Sequence, residues 1–122
     1  MDIDQDNLIG NLSRQFALKI IRLYKYLQET KTEFVISKQV LRSGTSIGAN
    51  VHEALRGQSK SDFAAKMNIA LKEASETEYW LELLRDGDYV SKDDLKEIMD
   101  DCIRINRILI AIVKLPSKIK RR

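Results

Sequence analysis

A chain of 122 residues is the size of one domain and can bury a core of its own without a disulfide or a structural metal. Its 5 glycines and 1 proline are too few for the many turns of an all-β fold, while 43% apolar and 32% charged residues suit a globular helical protein. The net charge of +3 permits a polyanionic partner without requiring one, and it is unevenly spread: Asp2, Asp4 and Asp6 make the start acidic, and Lys118, Lys120, Arg121 and Arg122 make the end basic.

Taken in chain order, the apolar periodicity predicts four helices. The first covers about 11–30, with Leu12, Phe16, Ile20, Leu23 and Leu27 on one face and Arg14, Arg22, Lys25 and Gln28 on the other. The second covers about 33–56, with a stripe of Val40, Gly44, Ile47, Val51 and Leu55, and Gly57 as its stop. Ser59, three residues before Asp62, reads as the cap of a third helix over about 60–86, which ends at Gly87. Its main stripe is Phe63, Met67, Ala70, Ala74 and Leu81. Ser91 starts a fourth helix over about 91–115, with Asp93 and Asp94 placed to favour the dipole of its first turn and Pro116 closing it. Leu95, Met99, Cys102, Leu109 and Val113 form its main stripe, and residues 117–122 are left as a basic tail. Short connections between such helices predict an all-α, antiparallel up-and-down four-helix bundle in a single domain over 1–122.

Little in the sequence invites chemistry. Gly44-Thr45-Ser46-Ile47-Gly48 matches the G-x-S-x-G pattern of a hydrolase nucleophile, but that pattern needs a strand–turn–helix setting and a histidine elsewhere in the chain. Here it sits inside a helical stretch, and the only histidine, His52, follows six residues later on the same helix. Two mid-helix glycines, each costing about 1 kcal/mol relative to alanine, instead point to another backbone approaching closely. One histidine cannot furnish a di-iron bundle, and His52 with Cys102 is two ligands short of a zinc site. Neither metal nor cofactor is expected, and no catalytic residue is assigned. Cys102 falls in an apolar stripe and reads as a small buried hydrophobe. A single cysteine, no apolar leader and no run of about 18 apolar residues fit a cytoplasmic protein outside the membrane.

Two surface features stand out. Arg42, Ser46, Asn50 and Glu53, spaced four, four and three, share one face of the second helix, turned away from its apolar stripe; it is either a solvated face or a polar contact surface. Beside the main stripes, Ile69, Tyr79, Trp80 and Leu83 on the third helix and Ile98, Ile105, Ile108 and Ile112 on the fourth form second apolar rows. Part of these rows can broaden the core; both helices carrying one points to a subunit interface and a homo-oligomer.

The segment Arg42-Ser43-Gly44-Thr45-Ser46-Ile47-Gly48-Ala49-Asn50-Val51-His52-Glu53-Ala54, with Phe63 through Leu84, resembles one bacterial family: four-helix-bundle proteins encoded in intervening sequences of the 23S ribosomal RNA gene, a family that also takes in accessory proteins of diversity-generating retroelements. The resemblance runs from the first helix to the fourth. It implies an up-down bundle, a ring-shaped homopentamer and association with RNA or DNA, with a reverse transcriptase as partner in the retroelement branch. Ser46, Ile47, Asn50, Glu53, Glu76 and Glu78 match the family's pattern. Ala54 stands where the family often has glycine, and Gly57-Gln58 where it often has paired basic residues, which weakens the case for an anion-binding loop there. The expectation is a non-enzymatic, homo-oligomeric scaffold associated with nucleic acid through the phosphate contacts of Lys118, Lys120, Arg121 and Arg122; the alternative is a protein–protein adaptor that touches no nucleic acid.

Overall fold

The computed structural model describes residues 3–114, with side chains from residue 7 onward. Four helices follow one another: α1 (Ile3–Glu29), α2 (Ile36–Leu55), α3 (Lys60–Asp86) and α4 (Lys92–Lys114). Each packs along its neighbour in the chain, and α4 closes the square against α1. This is an up-and-down bundle, with the α1–α2 and α3–α4 turns at one end and the α2–α3 turn at the other.

The predicted stripes converge on one continuous core. Phe16, Ile20 and Leu27 from α1, Val40, Ile47 and Val51 from α2, Phe63, Met67 and Leu81 from α3, and Leu95, Cys102 and Leu109 from α4 are all buried. At about 25 cal/mol per Å² of apolar surface, the burial of these side chains is the main term holding the helices together. The two glycines of α2 sit where α1 comes closest. A Cβ at Gly48 would lie 3.2 Å from the Ser13 carbonyl oxygen, the close backbone approach expected of this pair, whereas one at Gly44 would lie 2.7 Å from Ile20 Cγ1, so there the space is taken by a side chain and not by backbone.

Two boundaries differ from the periodicity reading. Helix α1 begins eight residues earlier than expected, because Gly10 is carried inside the helix and Ile9, fully buried, extends the stripe by a turn. Helix α2 begins at Ile36 rather than Glu33 because Glu33 is its cap. The Glu33 carboxylate accepts from the backbone N–H groups of Val35 (3.1 Å), Ile36 (3.0 Å) and Ser37 (2.6 Å), three of the donors that a helix start leaves without partners. Ser59 accepts from the Asp62 N–H and Ser91 from the Asp94 N–H, the two caps anticipated in the sequence. Gly87 follows α3 at an ordinary φ of −86°, and the left-handed position falls one residue later, on Asp88 at φ 66°. The Tyr89 N–H then reaches the Leu84 carbonyl and the Asp88 N–H the Arg85 carbonyl, a Schellman ending with aspartate at the position that glycine usually holds.

One expectation is corrected. Ile98, Ile105 and Ile112 belong to the core of the subunit; Ile105 is 1% exposed. The fourth helix has a wide apolar face because it packs against both α1 and α3, so its two rows are the two flanks of one buried surface. Ile108 lies half-buried at the edge of that surface. Ile98, Ile105 and Ile112 are therefore not on an outer face of the subunit.

Candidate functional site

The polar row of α2 lies along the seam with α3 and is largely consumed there. Arg42 donates to Glu73 at 3.3 Å and also binds Glu76. Glu76 in turn accepts from the Trp80 indole N–H at 2.9 Å, so one carboxylate ties α2 to the outer side of α3. Beneath this network Thr77 Oγ1 lies 2.8 Å from Ser43 Oγ, and both residues are fully buried. Further along, Glu53 pairs with Lys66 at 2.9 Å. Ser46 and Asn50 bond instead to carbonyls of their own helix four residues back, Ser46 Oγ to Arg42 at 2.6 Å and Asn50 Nδ2 to Ser46 at 2.8 Å. The four residues thus form an inter-helix clamp, in which Arg42 and Glu53 reach across and Ser46 and Asn50 stay on α2.

The G-x-S-x-G segment is helical throughout, which removes its only mechanistic meaning. The Ser46 hydroxyl is bonded to the Arg42 carbonyl of its own helix, whereas His52 lines a cleft of about 370 Å³ between α1 and α2. That cleft is floored by Gly10, Ala17, Gly48 and Ala49 and carries Arg14 and His52, with no carboxylate or free nucleophile among its lining residues. The Thr45 hydroxyl in its wall is already bonded to the Leu41 carbonyl at 2.7 Å. Burial, with the charges of Glu78, Asp101 and Glu82 nearby, pushes the Cys102 thiol up to about 12, so it remains protonated and unreactive at neutral pH. Among the described residues no group of three or more His, Cys, Asp or Glu side chains is placed to hold a metal ion.

Of the second row on α3, Tyr79 is 53% and Ile69 39% exposed, and Trp80 and Leu83 are partly covered. Tyr79 and Trp80 meet edge to face at 5.2 Å between ring centroids. These four residues give α3 a partly exposed apolar row beside its buried face. Lys118, Lys120, Arg121 and Arg122 lie outside the described residues. No described helix is long and apolar enough to cross a membrane.

Sequence reasoning missed two buried polar groups. Asn106, in the middle of α4, donates to the Ala74 carbonyl (3.3 Å) and to Glu78 (3.1 Å), pinning α4 to α3. Glu33 was read as the first residue of the second helix. The alternation of apolar and polar positions signals neither, since each is defined by the element it faces. On the opposite seam, Lys19 bridges α1 to Asp101 (2.6 Å) and Glu97 (3.4 Å) of α4.

A closed square of four helices, clamped along its seams by polar side chains, defines a four-helix-bundle protein. The chain belongs to the 23S rRNA-intervening sequence protein family, whose model matches residues 5–111. It is similar to a crystal structure of a protein of unknown function from the S23 ribosomal protein family of Bacteroides thetaiotaomicron, with 52% identity, a TM-score of 0.88, and coverage of 91% of this chain and 99% of that one. No curated protein matches the sequence. The resemblance carried by Arg42–Ala54 and Phe63–Leu84 therefore led to the right family.

Proposed function

We propose that this protein is a non-enzymatic scaffold that assembles with copies of itself, as a cyclic pentamer, and associates with RNA. The observation that carries the reading is the row of Ile69, Tyr79, Trp80 and Leu83 on α3, of which Ile69 and Tyr79 are exposed and Trp80 and Leu83 partly covered, while Phe63, Met67, Ala70, Ala74, Leu81 and Leu84 of the same helix are buried. A second subunit covering it removes two aromatic rings from water, and large aromatic side chains are the usual energetic centre of such contacts. A non-enzymatic role is supported by the clamp on α2, whose charged groups are neutralised by Glu73, Glu76 and Lys66 instead of being gathered around a cleft. Support for the RNA half comes from the family, described as 23S rRNA-intervening sequence proteins. Light scattering of the purified chain at micromolar concentration tests the assembly. A multiple of the 14.1 kDa subunit mass is expected, with Tyr79→Asp or Leu83→Asp giving a folded monomer. A wild-type monomer would end the scaffold reading.

A further inference from the structure

The charges of α3 and α4 are sorted along the bundle axis. In the half that holds the α1–α2 and α3–α4 turns, α3 and α4 carry Glu73, Glu76, Glu78, Glu82, Asp86, Asp93, Asp94, Glu97, Asp100 and Asp101 against Arg85, Lys92 and Lys96. The other half reverses this. After Asp101 the sequence has no acidic residue through Arg122, and α4 continues with Arg104, Arg107 and Lys114. Their spacing of three and seven puts all three on one side of the helix, opposite its buried face, over an axial distance of about 15 Å. All three are exposed, and none forms an ion pair among the described residues. Lys60, at the start of the neighbouring α3, and Arg56, just past the end of α2, are likewise exposed and form no ion pair among the described residues. The helix dipole accounts for only one of the α4 cations, since Lys114 alone lies in the last turn.

We infer that this basic end, centred on Arg104, Arg107 and Lys114, is a binding surface for the phosphate backbone of double-stranded RNA. The inference rests on the RNA association proposed above and gives it a location. The charge is the first argument: a row of cations on α4, with no acidic residue in that helix after Asp101 and no ion pair among the described residues, is attractive to a polyanion and repels a second copy of itself. The second is the placement of the aromatics. Tyr26, Phe34, Tyr79 and Tyr89, the exposed aromatic side chains among the described residues, all lie in the acidic half, while Phe16 and Phe63 in the basic half are buried. Splayed bases of a single strand need rings to stack on, and this surface offers none. A duplex presents phosphates instead and asks only for spaced cations.

A salt titration of the full-length protein against a labelled RNA hairpin with a fully paired stem tests this, beside an unstructured single strand of equal length. The variant Arg104→Gln/Arg107→Gln/Lys114→Gln is compared with Lys25→Gln/Lys38→Gln/Lys92→Gln, which removes the same charge from exposed positions at the acidic end. Circular dichroism confirms that both are folded. Wild type is expected to prefer the hairpin. The first triple variant should bind at least tenfold more weakly near 0.1 M salt, with a log–log salt slope lower by about 2–3, since each lost phosphate contact removes about 0.7–0.9 from it. The second should stay within about twofold of wild type. Equal loss in both triples, or none in the first, overturns the site while leaving RNA association standing. Tighter binding of the single strand overturns the duplex assignment. No binding of either RNA by wild type overturns the site and the RNA half of the proposed function together.

Discussion

Glu33 shows how much one side chain decides in a bundle of this size. Burial alone would raise its pKa, yet the N–H groups of Ile36, Ser37 and Val35 and the Ser37 hydroxyl outweigh that cost and hold the carboxyl below its ordinary value. The unfolded value is near 4.3. Since the folded value is the lower one, the cap stabilises the fold fully above that pH and is lost as the pH falls through the folded pKa. Glu33→Gln is expected to lower stability by about 1–2 kcal/mol at pH 7. Denaturant melts repeated between pH 7 and 3 should show the variant with a shallower acid-side decline than wild type; parallel declines would mean that Glu33 is not the group responsible. One residue earlier, Thr32 sits at φ 49°, a left-handed conformation that its branched side chain strains and asparagine tolerates. Thr32→Asn should raise stability by about 0.5–1 kcal/mol, read as a rise in melting temperature of a few degrees. Neither residue was legible in the sequence. A glutamate three positions before a helix looks like part of the helix, and no residue pattern announces a left-handed threonine.

At the scale of the helices the sequence was more informative, and the reason is geometric. Stripes at a period near 3.6 report which face is buried, so the core of every helix could be read from positions such as Phe16, Ile47, Met67 and Leu109. They do not report how wide the buried face is. Helix α4 has neighbours on both flanks, and its second row of isoleucines looked like an outer surface until α1 was seen packed against it. Ile105→Asp should therefore unfold the subunit, because it leaves a carboxylate without a partner in the core. Loss of the helical circular dichroism signal is the expected result, where an interface residue would leave a folded monomer. The glycines of α2 were legible for the same reason that the stripes were: each breaks helix propensity inside a strong helical pattern, and only a close neighbour explains that. Gly44→Ala gains about 1 kcal/mol of helix propensity. It must also push its Cβ into Ile20, a buried and branched side chain with little room to turn. Overpacking of this kind costs about 1–3 kcal/mol, so a net loss of stability is expected, and a variant that melts higher than wild type would show that α1 can shift away.

The whole molecule joins a stable interior to two unlike outer regions, an apolar strip on α3 and a basic end formed mainly by α4. Family membership was readable because the α2 and α3 signatures are sequence patterns. The basic end was passed over because attention to the apolar face of α4 leaves its outer side as mere solvated charge, and only the helix order shows that α3 is acidic at the opposite end. If the strip of Ile69, Tyr79, Trp80 and Leu83 is covered by another subunit, folding and assembly are linked, and stability depends on protein concentration. Dissociation then accompanies unfolding, and each tenfold dilution should reduce the apparent stability per subunit by about 1 kcal/mol. For a chain of this length that is a fall of roughly 3–6 °C in melting temperature. Tyr79→Ser/Leu83→Ser changes two positions that are exposed or partly covered in the lone subunit, so the helices should still form. What should disappear is the concentration dependence. Calorimetry of both proteins across a hundredfold range of concentration makes the comparison. A wild-type melting temperature that does not move with dilution would place the strip outside any assembly that melts together with the fold.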